Sequence, residues 1–360
     1  MEQTVMLGMS GGVDSSAAAL ILKKEGWDVT GVTLRLKKDE FSAQPREGGC
    51  CTLDDVEDAR RVAYKLGIPH HVFNFTDLFS KAVIDYFVTE YLHGRTPNPC
   101  IACNRYIKFD AMLHRAQTLG IGHIATGHYA RVEYDKGRGR WLLKRSQSSK
   151  DQSYVLYHLT QEQLSRTLFP LGDRSKEETR ALAAEAGLCV AKKSDSQEIC
   201  FVDDNDYAGF IQRYTGTVVP EGNFVDLEGN PIGRHKGIIH YTIGQRKGLG
   251  ISFGQHMYVC GINAENNTIM LGPDGSQMAS ALLAEDLNFI SIPLLEKPME
   301  VFAKPRYQAK PAKALITPWD NGQVRVEFES PQRSLTPGQA VVFYEGDIVI
   351  GGGTIGQVLR

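Results

Sequence analysis

No run of about 18 apolar residues occurs in this 360-residue chain, which excludes a membrane-spanning helix. A secretory leader is not expected either, because charged and polar side chains interrupt the short apolar stretch between Met1 and Leu22. Neither sign of charge dominates. The formal net charge is −2, so no bulk excess of Lys and Arg attracts nucleic acid. Cysteine is sparse as well: seven residues, an odd number scattered over the chain, make no disulfide scaffold and fit reduced thiols with chemical or packing roles. The glycine-rich stretch near the start of the chain, Ser10-Gly-Gly-Val-Asp-Ser15, lacks both the Gly-Lys-Ser/Thr ending of a Walker loop and the G-x-G-x-x-G spacing of a dinucleotide fold. These absences predict a soluble, cytosolic protein with no membrane partner.

What is present begins with Thr4-Val-Met-Leu-Gly8-Met9-Ser10-Gly11-Gly12-Val13-Asp14-Ser15-Ser16 and the apolar helical run through Leu22. Val5, Met6 and Leu7 suit a buried strand, Gly11 and Gly12 permit backbone conformations closed to other residues, and Ser15 or Ser16 can cap the following helix. Such a loop bares several N–H groups at a helix N-terminus, where the dipole favours a phosphate and bare glycines let it approach. The plain alternative is a glycine turn before a helix. The Ser-Gly-Gly-x-Asp-Ser pattern resembles the pyrophosphate loop, or PP-loop, of ATP pyrophosphatases, which split ATP into AMP and pyrophosphate and adenylate a substrate oxygen.

Apolar residues make up 42% of the chain, enough for real cores, and the length implies two or three domains. After a cap at Gly26, Trp27 to Leu36 reads as a strand, Lys37 to Gly49 as a loop and Leu53 to Leu66 as a helix closed by Gly67. Ile68 to Phe75 is a third strand and Leu78 to Tyr91 another helix. Ile121 to Thr126 is a strand ending at Gly127, where open α/β sheets bind ligands. A hairpin turns around Asp135 to Gly139, and Thr179 to Ala186 is helical. Strands alternating with helices predict a doubly wound parallel sheet, Rossmann-like, over 1–205. Beyond a short helix from Asp206, β-branched segments and tight turns predict a small β-rich central domain, 206–280, and a C-terminal β-barrel, 281–360. Gly351 to Gly353 fits a strand bend in that barrel.

Two prolines in His93-Gly-Arg-Thr-Pro-Asn98-Pro99-Cys100-Ile-Ala-Cys103-Asn104 forbid a helix and predict an ordered loop, with a helix from Asn104. Cys103 then stands at a helix N-terminus beside Arg105 and Lys108, where dipole and cations favour the thiolate. Cys189 and Cys260 lie in apolar patterns and read as core, while Cys50 and Cys51 receive no role. Local basic clusters, among them Lys144-Arg145 with Lys150 and Lys304-Arg306-Lys310, are ordinary solvated faces or RNA contacts.

A more specific resemblance spans most of the chain. Gly8 to Ser15, Gly94 to Pro99 with Cys103-Asn104, Ala125 to Tyr129, Lys150 to Tyr154, Ile199-Cys200-Phe201 and Gly244 to Gly250 are similar, in order, to the tRNA-specific 2-thiouridylases. The resemblance implies thiolation of the wobble uridine of certain tRNAs: ATP adenylates the C2 oxygen, and AMP departs when sulfur attacks. It implies ATP binding by Gly8, Met9, Ser10, Gly11, Gly12, Val13, Asp14 and Ser15, with Leu34 and Gly127 near the adenosine and Mg²⁺ near Asp14. Cys200 would carry sulfur as a persulfide and Cys103 would release it, leaving a transient disulfide for a reductant. Contact with tRNA is implied at His128, Lys150, Asp151, Gln152, Arg306, Tyr307 and Gln339, and with the target base at Asn98, Pro99 and Cys100. The sulfur would come from a persulfide-carrying relay protein or a cysteine desulfurase, and the chain would act as a monomer.

Cys100 departs from the aspartate frequent at this position in the family. Cys100, Cys103 and Cys200 could instead ligate a [4Fe–4S] cluster, Cys100 and Cys103 could begin a zinc site, or Cys100 could simply pack as a small hydrophobe. Other PP-loop synthetases, which adenylate carboxylates or carbonyls, and a non-enzymatic RNA-binding module are the competing functional readings.

Overall fold

The computed structural model describes residues 3–37, 53–194, 199–202, 206–251 and 254–359. Cys50, Cys51 and nearly all of the loop expected at 37–49 lie outside the described residues.

The first layer is a parallel sheet. Its strands are β1 (Thr4–Gly8), β2 (Asp28–Arg35), β3 (His70–Asn74) and β4 (His123–Ala125), with a short fifth strand at Thr167–Leu168, in the order β3-β2-β1-β4 and then Thr167–Leu168. All neighbours run parallel. Side chains alternate across the sheet plane, so Val5 and Leu7 pack on one face with α2 (Leu53–Leu66), while Met6 joins Phe79, Phe87 and Ile107 on the other. Both faces are therefore covered, as a parallel sheet requires. α1 (Val13–Lys24) leaves the end of β1 and is followed by Gly26 in the left-handed region at φ +84°, which ends it as expected.

Two helices are longer than their patterns predict. The one expected at Leu78 to Tyr91 runs through Thr76–Phe79, a π-helical turn at Ser80–Ile84, and Asp85–Leu92. The second overturns the expected loop. It starts at Pro99–Ala102, not at Asn104, and continues through the π-helical Cys103–Ala111 into Met112–Thr118. Pro99 occupies the first helical position, where its missing N–H costs nothing, and Asn98 caps the backbone N–H groups of Cys100 and Ile101. Only Pro97 stays outside.

The β-hairpin β5 (Ala130–Asp135) and β6 (Arg140–Arg145) leaves the parallel layer and joins another sheet. With the short strand Thr167–Leu168 counted as β7, a four-stranded sheet follows from β8 (Gly222–Val225), β9 (Pro231–His235), β10 (Met257–Asn263) and β11 (Thr268–Pro273). The last unit is a six-stranded barrel. β12 (Met278–Phe289), β13 (Met299–Lys304), β14 (Ala312–Pro318), β15 (Val324–Arg333), β16 (Ala340–Glu345) and β17 (Ile348–Leu359) run in the order β12-β15-β14-β13-β16-β17, and β17 closes on β12. The β5–β6 hairpin extends this barrel at β17, where Ile348 pairs with Lys144 and Arg131 reaches Asp347 at 2.7 Å. Gly351, Gly352 and Gly353 lie inside β17 and let neighbouring backbone and the Tyr157 ring close in. Among the described residues no helix is long and apolar enough to cross a membrane.

Candidate active site

The turn from β1 to α1 lies at the C-terminal edge of the parallel sheet. Gly11 adopts φ +70°, and a side chain there would collide with the Asp55 carbonyl oxygen at the start of α2. Gly12 is the N-cap of α1 and offers no side chain to its N–H groups, while Ser15 and Ser16 turn their hydroxyls back to the Gly12 carbonyl at 3.2 and 2.9 Å. The helix N-terminus thus keeps donors for an anion. Gly127, after β4, abuts the same turn: a Cβ there would sit 2.7 Å from the Ser15 nitrogen. Leu34 is buried on β2, and Met9 and Val13 are buried under the loop. Gly8 ends β1.

Asp14 is held at this turn by two donors, the Tyr129 hydroxyl at 2.8 Å and the Lys176 ammonium at 2.7 Å. Lys176 is buried at the first turn of the helix Lys176–Glu185, whose capping box joins Ser175 and Glu178. A second lysine braces the loop from the other side. Lys193 donates to the Gly11 carbonyl at 3.1 Å and to the carboxylates of Asp55 and Asp58 at 2.8 and 2.7 Å. Burial opposes its charge, but the two carboxylates outweigh burial and hold its pKa above the usual lysine value. Neither lysine lies in a recognisable sequence motif.

Cys103 lies in the second turn of its helix and is buried, whereas Cys100 lies in the first turn and is exposed. The dipole argument made for Cys103 therefore applies to Cys100, because the effect fades beyond the first turn. Cys200 is half-buried and packs against the same apolar cluster that contains Cys103. Its neighbour Phe201 anchors that approach, edge-on to Phe79 and Phe87 at 5.7 and 5.2 Å. Cys260 is core as expected, but Cys189 is exposed in the turn after the helix Lys176–Glu185. Among the described residues no three His, Cys, Asp or Glu side chains converge as metal ligands. The three cysteines Cys100, Cys103 and Cys200 thus do not fit a cluster site.

Most residues expected to touch RNA also brace the framework. Asp151 accepts from Arg145 at 3.0 Å and from the Ser146 and Ser153 N–H groups, and Gln152 accepts from the Tyr129 N–H at 3.0 Å. Arg306 donates to the carbonyls of Ile243 and Ser334, which ties the segment between β9 and β10 to the end of β15, and Gln339 donates to the Thr96 carbonyl at 2.8 Å. His128 is wedged against Phe109 and Phe169; burial, then the cation of Lys108, holds its imidazole well below the usual value. Tyr307 remains 40% exposed, and the Lys304 ammonium stands 5.3 Å from its ring centre. Burial, then the negative fields of Asp151 and Cys100, raises the Tyr307 phenol above its ordinary value, and the Tyr307 hydroxyl stands 3.5 Å from the Asp151 carbonyl oxygen. Asn98 and buried Pro99 open the helix that carries Cys100.

Three family models match the chain in order: a tRNA methyl transferase HUP domain over residues 3–204, a tRNA methyl transferase PRC-barrel domain over 208–273 and an aminomethyltransferase beta-barrel domain over 279–355. A solved 4-thiouridine synthetase–RNA complex with bound ATP is a distant likeness, 20% identical over 56% of this chain and 46% of its own, with a TM-score of 0.36. Sequence relatives are far nearer. The tRNA-specific 2-thiouridylase of Acetivibrio thermocellus is 58% identical over 98% of this chain and 99% of its own. That of Clostridioides difficile is 54% identical over 100% and 99%. With identity at this level along its whole length, the chain belongs to the tRNA-specific 2-thiouridylase family.

Proposed function

We propose that the protein is a cytosolic tRNA-uridine 2-sulfurtransferase that uses ATP and Mg²⁺. The observation that carries this reading is the glycine loop at the C-terminal edge of the parallel sheet, whose helix has no side-chain cap and whose Asp14 is fixed by Tyr129 and Lys176. Gly8 to Ser15 would seat the triphosphate, with N–H groups of the loop and of α1 aimed at it. Leu34 and Gly127 would line the nucleoside side. Asp14 fits a metal-bound phosphate because its carboxylate is already fixed by Tyr129 and Lys176, and Mg²⁺ there would neutralise charge on the leaving pyrophosphate.

The amide-like C2 oxygen of uridine leaves badly, so ATP transfers AMP to that oxygen and releases pyrophosphate. Cys200 then carries a terminal sulfur as a persulfide. The Cys103 thiolate attacks the Cys200 Sγ and breaks the persulfide bond; the expelled sulfide attacks C2 and AMP departs from carbon. The products are 2-thiouridine and a Cys103–Cys200 disulfide, which an external thiol reductant returns to two thiols. Packing of Cys200 against the apolar cluster that holds Cys103 supports this pairing. Asn98, Pro99 and Cys100 would line the base pocket, and His128, Lys150, Asp151, Gln152, Arg306, Tyr307 and Gln339 the tRNA approach. The sulfur would arrive from a persulfide-carrying protein or a cysteine desulfurase. The division into units at 1–205, 206–280 and 281–360 assigns ATP chemistry to the first and the grip on the tRNA body to the last.

The test is single-turnover thiolation of unmodified tRNA with ATP and a persulfide donor. Cys103→Ser and Cys200→Ser should be inactive and Cys100→Asp active in air. A requirement for iron and for Cys100 would overturn the two-cysteine route, and a product carrying an added methyl group instead of sulfur for oxygen would overturn the activity itself.

A further inference from the structure

The strand β12 of the barrel shifts register against its neighbours at three places, and the shift between Glu285 and Asn288 faces β17. Glu285 faces Thr354 and Asn288 faces Gly352 on β17, so Asp286 and Leu287 together oppose Gly353 alone, which is a β-bulge. Asp286 sits there at φ +48°, a left-handed conformation that aspartate tolerates better than most side chains. Two bare glycines make room. A Cβ on Gly353 would lie 2.7 Å from the Glu285 carbonyl oxygen, and one on Gly356 would lie 2.8 Å from the Glu285 carboxyl group.

Every polar side chain of the bulge reaches out of the barrel. Glu285 accepts from Arg95 at 3.0 Å, Asp286 accepts both terminal nitrogens of Arg105, and Asn288 donates to the carbonyls of Tyr157 and Leu159 at 2.7 and 3.1 Å. Arg95 precedes the Asn98 cap by three residues, and Arg105 follows Cys103 by two. The bulge therefore grips both ends of the segment that carries Asn98, Cys100 and Cys103. Between these grips lies a cavity of about 730 Å³ lined by Tyr86, Ile101, Ala102 and Tyr106, so close packing does not fix the helix on this face. The Arg105–Asp286 pair has 37% and 52% of its side chains exposed, which makes it a weak contributor to stability. Its two-pronged geometry still defines a position.

We propose that the Glu285–Asp286 bulge is a positioning clamp, acting through Arg95 and Arg105, that sets where the Cys100–Cys103 turn stands relative to the barrel. This rests on the thiolation reading above. Small misplacement of a reacting group is costly in rate even where stability is untouched. The clamp thus links the surface expected to hold the tRNA body to the sulfur-transfer step, while leaving the nucleotide loop alone.

The experiment compares wild type, Asp286→Asn, Arg105→Gln and the double variant. At saturating tRNA, each single substitution should lower thiouridine formed per pyrophosphate released by about tenfold at unchanged melting temperature. The double variant should be no worse than the weaker single, since both remove one contact. An unchanged ratio, or two losses that multiply, overturns the clamp. Amide hydrogen exchange over residues 95–105 needs no turnover and should accelerate in Asp286→Asn. Unchanged exchange overturns the clamp even if the wild type fails to thiolate tRNA, a failure that would instead refute the proposed activity.

Discussion

Gly127→Ala tests the contact between strand end and nucleotide loop most directly. Gly127 has no positive φ, so alanine meets no backbone strain, and the whole effect is steric. The new methyl would stand 2.7 Å from the Ser15 nitrogen and 2.8 Å from the Asp14 carbonyl carbon, roughly 0.7 Å inside ordinary contact. Both neighbours are backbone at the start of α1 and cannot rotate away, so the loop must move. Overpacking of this kind costs about 1–3 kcal/mol. If about half falls on the ligand-ready position of the loop, affinity for ATP drops about two- to tenfold. Gly120→Ala is the control. It strains a left-handed backbone at φ +75° but meets nothing within 4 Å and lies on a surface turn, so it should cost about 1–2 kcal/mol of stability without changing nucleotide affinity. Calorimetric binding of a non-hydrolysable ATP analogue to both variants decides the matter. Wild-type affinity in a folded Gly127→Ala protein would refute the assignment of this edge to the nucleotide.

Two further perturbations probe the frame around the site. Lys193→Met strips the Gly11 carbonyl of its donor and leaves Asp55 and Asp58 without that cation, so denaturant unfolding should show a loss of about 1–3 kcal/mol and ATP should bind more weakly; equal stability would show the brace to be idle. His158 is buried, and burial, then the cation of Arg105, lowers its pKa to about 3, so the unfolded chain takes up a proton below 6.5 that the folded one refuses. Stability from this residue is complete above 6.5 and is lost as pH falls toward 3, by about 2 kcal/mol at about pH 5; the gap between wild type and His158→Gln should shrink by that amount, and a pH-independent gap would contradict it.

The sequence by itself determined what depends on neighbours a few residues apart. Hydrophobic periodicity and glycine stops placed α2 at Leu53–Leu66 and the turns at Gly26 and Gly67, because helix propagation and left-handed caps are local events. The strand–loop–helix unit of Gly8 to Ser15 was legible for the same reason. Near a proline the local reading stopped short: two prolines looked like a barrier, and only the fold showed Pro99 as a helix start capped by Asn98. What tertiary structure alone decided involves partners far apart in the chain. The β5–β6 hairpin pairs with β17 some 200 residues later, Lys176 and Lys193 reach back to the first loop, and Glu285 and Asp286 hold Arg95 and Arg105. A charged residue with no local partner looks like solvated surface in a sequence, and only the folded chain supplies the opposite charge that turns it into a brace.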